Sequence, residues 1–210
     1  MNRAIPVQRE IPSTSWWLCI WPRRSSTIVR YCDAAFRYHS QITKEYKDQN
    51  WARNIGQAGI RLLTAMADFT DAGQVTGTLH WLMKASYKRN GGPYLQPGET
   101  RKFRHFQIRL LLEHHRTRRP WSARLDLVLD RWDPSTSARR DLEDYLRANF
   151  ALTPQIETVT FVDSLYADLI QIADLYTRVA RLTIDGSATA EHSALAGRLF
   201  VAREITRGLY

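Results

Sequence analysis

The second half of the chain alternates between two hydrophobic rhythms, and that alternation restricts the fold more than any other feature. In Arg124-Leu-Asp-Leu-Val-Leu-Asp130, leucines fall at every second position, the spacing of a strand with one buried face. Asp133-Pro-Ser-Thr-Ser137 supplies a turn and a helix cap. Ala138 to Asn149 then carries Leu142, Tyr145 and Leu146 at helical spacing. Ile156 to Val162 reads as the next strand and Ala167 to Leu182 as the next helix. Strands alternating with helices of this length favour α/β units with locally parallel pairing, which is the predicted fold class.

The first half is less regular. Residues 1–24 read as an irregular N-terminal segment, with Pro6 and Pro12, holding one short strand at Trp16–Trp21 that Pro22 stops. A helical stripe follows through Ile28, Cys32, Ala35, His39 and Ile42. A second helix, from about Trp51 to Phe69, carries Ile55, Gly59, Leu62, Met66 and Phe69 and is broken by Asp71-Ala-Gly73. Val75 to Met83 alternates as a strand, with Val75, Leu79, Trp81 and Met83 on one face. Residues 90–99 form a loop, and Thr100 opens a helix with Phe103, Phe106 and Leu110 that fades before Pro120. A last helix is expected from Ala190 to Ile205. The whole length, 210 residues, suits one domain with a sizeable core.

Composition narrows the setting. Hydrophobic residues make up 44% and charged residues 24%, ordinary globular usage. Cys19 and Cys32 give neither a metal spacing nor a disulfide framework, so a reduced, cytoplasmic protein is expected. The apolar run at the N-terminus is too short for a membrane helix, and no membrane partner is expected. Those tryptophans could instead cover a sheet edge or form a homo-oligomer contact.

The net charge of +9 is concentrated. Between Lys84 and Arg119 ten basic residues face only Glu99 and Glu113. Such a segment favours phosphate backbones, so nucleic acid is the expected partner, with Lys84, Lys88, Arg89, Arg101, Lys102 and Arg104 as its contacts. The plainer reading is a solvated helix face between two basic loops. Tyr87, Tyr94, Phe103 and Phe106 lie among these charges, where they could stack on bases or belong to the core. His114 and His115 point about 100° apart on a helix and read as a basic helix end rather than as shared ligands.

Asp130 ends a strand, and ligands of open α/β sheets bind at the carboxyl ends of strands. Asp174 lies in the helix after the next strand, with Gln171 and Arg178 on the same polar stripe. Each has an ordinary explanation, Asp130 as a turn cap and Asp174 as part of a wet helix face. Together, two carboxylates from neighbouring elements can hold Mg²⁺ or Mn²⁺, hard cations that take oxygen ligands. In phosphodiester cleavage such ions activate water and stabilise the leaving oxygen.

Phe161-Val-Asp-Ser164 and Gln171-Ile-Ala-Asp174 resemble the closing motif of domain-of-unknown-function family 3800, a branch of the ribonuclease H-like nucleases. The strand ending in Asp130-Arg131 is similar to that family's internal strand, and Glu45-Tyr-Lys47 to its acidic element. The resemblance covers residues 45 to 185 and some flanks. It implies a three-layer ribonuclease H-like fold, with a mixed central sheet flanked by helices. It also implies a metal-dependent nuclease with Asp130, Asp174 and Glu45 as catalytic residues. Asp130, Asp174 and Asp163 would hold the metal, and Ser164 and Gln171 would support the motif.

One departure stands out. The family's leading strand ends in Asp-Glu-Ser-Gly, and no such motif occurs here. Three explanations are open: a lost first strand, a chain that begins late, or a degenerate site. The last would leave a relative that binds nucleic acid or a partner protein without cutting.

Overall fold

The computed structural model describes residues 16–20, 57–82, 87, 90, 99–118, 125–131, 135–149, 156–162 and 168–205. The elements, in chain order, are β1 (Trp16–Ile20), α1 (Gln57–Asp71), β2 (Thr76–Trp81), α2 (Thr100–Arg118), β3 (Leu125–Asp130), α3 (Thr136–Asn149), β4 (Ile156–Val162), α4 (Asp168–Ile184), α5 (Ala190–Leu199) and β5 (Phe200–Glu204). The protein is of the α/β class. The helix expected over Ile28 to Ile42 lies outside the described residues.

Local chemistry sets several of these boundaries. Gly73 and Gly186 both hold positive φ, 72° and 71°, just past the ends of α1 and α4. At the first, the Gln74 N–H reaches the Phe69 carbonyl at 2.9 Å and the Gly73 N–H the Thr70 carbonyl at 2.9 Å. At the second, Ser187 and Gly186 repeat the pattern on Leu182 and Thr183. Both are Schellman stops, which satisfy the last carbonyls and need a residue tolerant of the left-handed region. Helix α5 begins with a reciprocal cap. The Thr189 hydroxyl accepts from the His192 N–H at 3.2 Å, and the Thr189 N–H donates to His192 Nδ1 at 3.4 Å. His192 thus fills the role usually taken by Glu or Gln.

The strands, among the described residues, form two sheets rather than the single mixed sheet expected. One has the order β1-β2-β5, with β1 antiparallel and β5 parallel to β2; the other is the parallel pair β3-β4. Three apolar clusters hold them. Leu62, Leu63 and Met66 of α1 pack with Ile172, Tyr176 and Val179 of α4 and with Leu195 and Leu199 of α5. Leu111 and Leu112 of α2 join Leu127 and Leu129 of β3, Leu142 and Leu146 of α3 and Val159 of β4. The third joins Leu82, Tyr87 and Ile205 to Phe103, Phe106 and Leu110 of α2. Helix α2 therefore ties the β3–β4 unit to the first sheet, and it also packs on β1 and β2.

The C-terminal helix is shorter than its sequence suggests. Ala190 to Ile205 was expected to be helical throughout, but α5 stops at Leu199. Phe200 turns to extended backbone (φ −155°, ψ 163°), and β5 pairs with β2 from Gly77–Phe200 to Trp81–Glu204. Ladder hydrogen bonds to β2 outweigh the helix preference of Ala202, Arg203 and Glu204, a tertiary override of local propensity. Strand β2 is also more enclosed than a one-sided alternation allows. Thr78 and His80 are buried along with Gly77 and Leu79, because α2 covers the face predicted to be polar.

Candidate functional site

The carboxyl end of the parallel β3–β4 pair gathers the chain's most suggestive acids. In β3 the side chains alternate: Leu127 and Leu129 enter the core, while Asp126, Val128 and Asp130 are exposed on the other face. Thr158 of β4 donates to Asp126 across this outer face at 2.7 Å. The Arg131 N–H continues the ladder to the Val162 carbonyl at 2.8 Å, which fixes the backbone directly after Asp130.

Asp174 of α4 lies within electrostatic reach of Asp130. Its carboxyl pKa is raised, first by burial and further by the charge of Asp130, while Arg178 pulls it down. The side chain is still 54% exposed, so only its inner side is enclosed by protein. Arg178, one turn along α4, donates from Nε to the Asp174 Oδ2 at a long 3.4 Å. Helical i, i+4 spacing makes that contact. Asp130 and Asp174, the two residues singled out by position in the sequence, are thus near enough for the charge of one to act on the other.

The other expected site residues are placed only in part. Gln171 sits on α4 one turn before Asp174. Glu45, Asp163 and Ser164 lie outside the described residues. Among those described, no group of three or more His, Cys, Asp or Glu side chains converges as a metal site.

The basic segment divides in a similar way. Lys84, Lys88 and Arg89 lie outside the described residues. Arg101 is exposed but bonded to Asp141 of α3 at 2.6 Å. Lys102, its side chain 69% exposed, has only a loose contact at 3.8 Å with Glu99. Arg104 is half-buried. Arg109, counted in the positive run, is turned inward, paired with Glu113 at 3.4 Å and lying over the rings of Phe106 and Tyr145. Tyr87, Phe103 and Phe106 are buried, so these aromatics are core rather than a stacking platform for bases.

The histidines on α2 require a correction. His114 and His115 are more than a basic helix end: His114 Nδ1 lies 2.7 Å from His80 Nε2, and His115 Nδ1 lies 3.0 Å from the Thr78 hydroxyl. Pointing apart along the helix lets each meet a different residue of one face of β2. His80 itself is buried, and burial, then the charges of His114 and Arg203, push its pKa down to about 3. The strand's alternation already set Thr78 and His80 on a common face, the one signal that could have linked them to α2.

Comparison of the chain with protein-family models, with curated proteins and with solved structures finds no match. No helix among the described residues is long and apolar enough to cross a membrane.

Proposed function

We propose that this chain is a divalent-metal-dependent nuclease of ribonuclease H-like build, related to domain-of-unknown-function family 3800, that cleaves phosphodiester bonds of nucleic acid. The observation that carries this reading is that Asp130, at the carboxyl end of a parallel strand pair, acts electrostatically on Asp174 of α4. Helix α3 belongs to the core under one face of β3, and the charge of Asp130, on the other face, acts on Asp174 of α4.

The donor set suits Mg²⁺ or Mn²⁺ in kind. Both groups offer hard carboxylate oxygens, and their mutual repulsion is a cost that a cation would relieve. Asp130 and Asp174 would hold the ion, with Asp163 as a third ligand and Glu45 assisting by position in the sequence. Such an ion supplies charge neutralisation at phosphorus and a more acidic water. Arg178 fixes the orientation of Asp174. Lys102, exposed and loosely held by Glu99, is placed to meet a phosphate; Arg101 would have to exchange Asp141 for it.

That no three His, Cys, Asp or Glu side chains converge among the described residues favours one second reading, a catalytically degenerate relative that binds nucleic acid or protein. End-labelled RNA and DNA, single- and double-stranded, incubated with Mn²⁺ beside EDTA and Asp174→Asn controls, separate the two. Metal-dependent cutting lost in the variant is the expected result. Salt-sensitive binding with no cutting by folded protein would establish the degenerate relative instead.

A further inference from the structure

The His80–His114 contact is a hydrogen bond between two rings that aim at one another. Their nitrogens are 2.7 Å apart, yet their centroids are 4.9 Å apart and their planes differ by 22°. So large a centroid separation over so short a nitrogen contact sets the rings edge to edge, with nearly a full ring radius from each on the line between them. A face-to-face stack would bring the centroids closer. No space is left between the nitrogens for a cation, and the contact is filled by a proton.

Proton counting gives the pair its character. A neutral imidazole has one N–H and one bare nitrogen, so two neutral rings make one N–H···N bond. One added proton leaves that bond intact. A second turns both facing nitrogens into donors and sets two like charges in contact. The charges that act on His80, those of His114 and Arg203, both disfavour its protonation. His80 is 1% exposed, and Thr78 and His115 beside it are equally enclosed. Arg203 of β5 lies opposite His80 in register and acts on it with the same sign of charge. From β1 the residue in register is Trp16, which carries no charge.

We propose that the His80–His114 and Thr78–His115 bonds form an acid-released latch that fastens the last turns of α2 to β2. Both bonds leave α2 on consecutive residues, so they open together. Leu111 and Leu112, on the same turns, belong to the core of Leu127 and Leu129 in β3. Opening the latch therefore loosens the support beneath the strand that carries Asp130.

Amide hydrogen exchange on the intact protein tests this between pH 7 and pH 5, after correction for intrinsic exchange rates. His80 is held neutral to about pH 3 when the latch is closed but has an ordinary pKa of 6.5 when it is open. Each pH unit in that window therefore favours opening roughly tenfold. The expected result is a more than tenfold rise in opening at residues 110–118, with little change in α1 and α5, and a flat response in His80→Leu. A wild-type response that is flat, that is shared equally by α1 and α5, or that persists in the variant overturns the latch. If His80→Leu does not fold, nitrogen NMR of the wild type decides. A through-bond coupling between His80 Nε2 and His114 Nδ1, fading together with exchange protection, supports the latch, and its absence at pH 7 overturns it.

Discussion

A Cβ placed on Gly77 would lie 2.2 Å from the main-chain oxygen of Leu199, so β2 meets the junction of α5 and β5 at a point with room for hydrogen alone. The obstacle is backbone and cannot rotate away. Gly77→Ala should therefore destabilise the protein by about 3 kcal/mol. Gly197, on α5, has no heavy atom near its own Cβ direction, and Gly197→Ala should stabilise by up to about 1 kcal/mol. Urea unfolding of both variants checks the contrast; equal effects would mean that the β2–β5 contact is looser than described.

Asp174 predicts an unusual response to neutralisation. Burial and Asp130 raise its carboxyl pKa, so ionisation costs folded stability, a penalty that grows as pH rises through the raised value. At pH 7 with EDTA, Asp174→Asn should gain roughly 0.5 kcal/mol, a figure discounted for a side chain half in water. That corresponds to about 1–2 °C in Tm. With Mn²⁺ the order should reverse, because only the wild type gains from ligand binding. Thermal melts with and without Mn²⁺ show both effects; a variant that keeps the full Mn²⁺ shift removes Asp174 from the site.

The depressed pKa of His80 sets the acid limb of the stability curve. Its contribution is fully present above pH 6.5, where both states are neutral, and falls as pH drops from 6.5 toward 3, because only the unfolded chain takes up the proton. The slope from this residue approaches about 1.4 kcal/mol per pH unit. Urea midpoints at pH 7.5, 5.5 and 4.5 should show it in the wild type and a shallower decline in His80→Leu.

Arg198 clamps α5 to the end of α1, donating from Nη2 to Asp68 and Asp71 at 2.6 Å each and from Nε to Asp71 at 2.9 Å. The fork is solvent-exposed, so salt should govern its worth. Arg198→Gln should lower Tm modestly at low ionic strength, and the difference should fade near ~1 M NaCl. A salt-independent loss would point to packing of the arginine stem instead.

Most of the β3-α3-β4-α4 run was legible because each element repeats its apolar residues with its own period. Ile156–Val162 was placed to the residue, and the helix starting at Thr100 was opened at the right position. Asp130 and Asp174 were legible as candidates from position alone, one at a strand end and one in the following helix. Their mutual repulsion was not, because it depends on where α4 lies beside β3. Phe103 and Phe106 were legible as core from the apolar stripe they share on their helix, despite their basic neighbours, and the packing against Leu82 and Ile205 bears that out.

The sequence by itself determined the α/β class, the helix stop at Gly73, and the strand–helix rhythm that carries both acids. These are local properties, fixed by spacing and by the φ that a single residue tolerates. The tertiary structure decided that Phe200 to Glu204 leaves the helix for β2, that His80 is sealed beneath α2, and that Asp130 and Asp174 share one electrostatic environment. Each of these depends on contacts between residues far apart in the chain, whose free energy outweighs local preference only once the elements are packed.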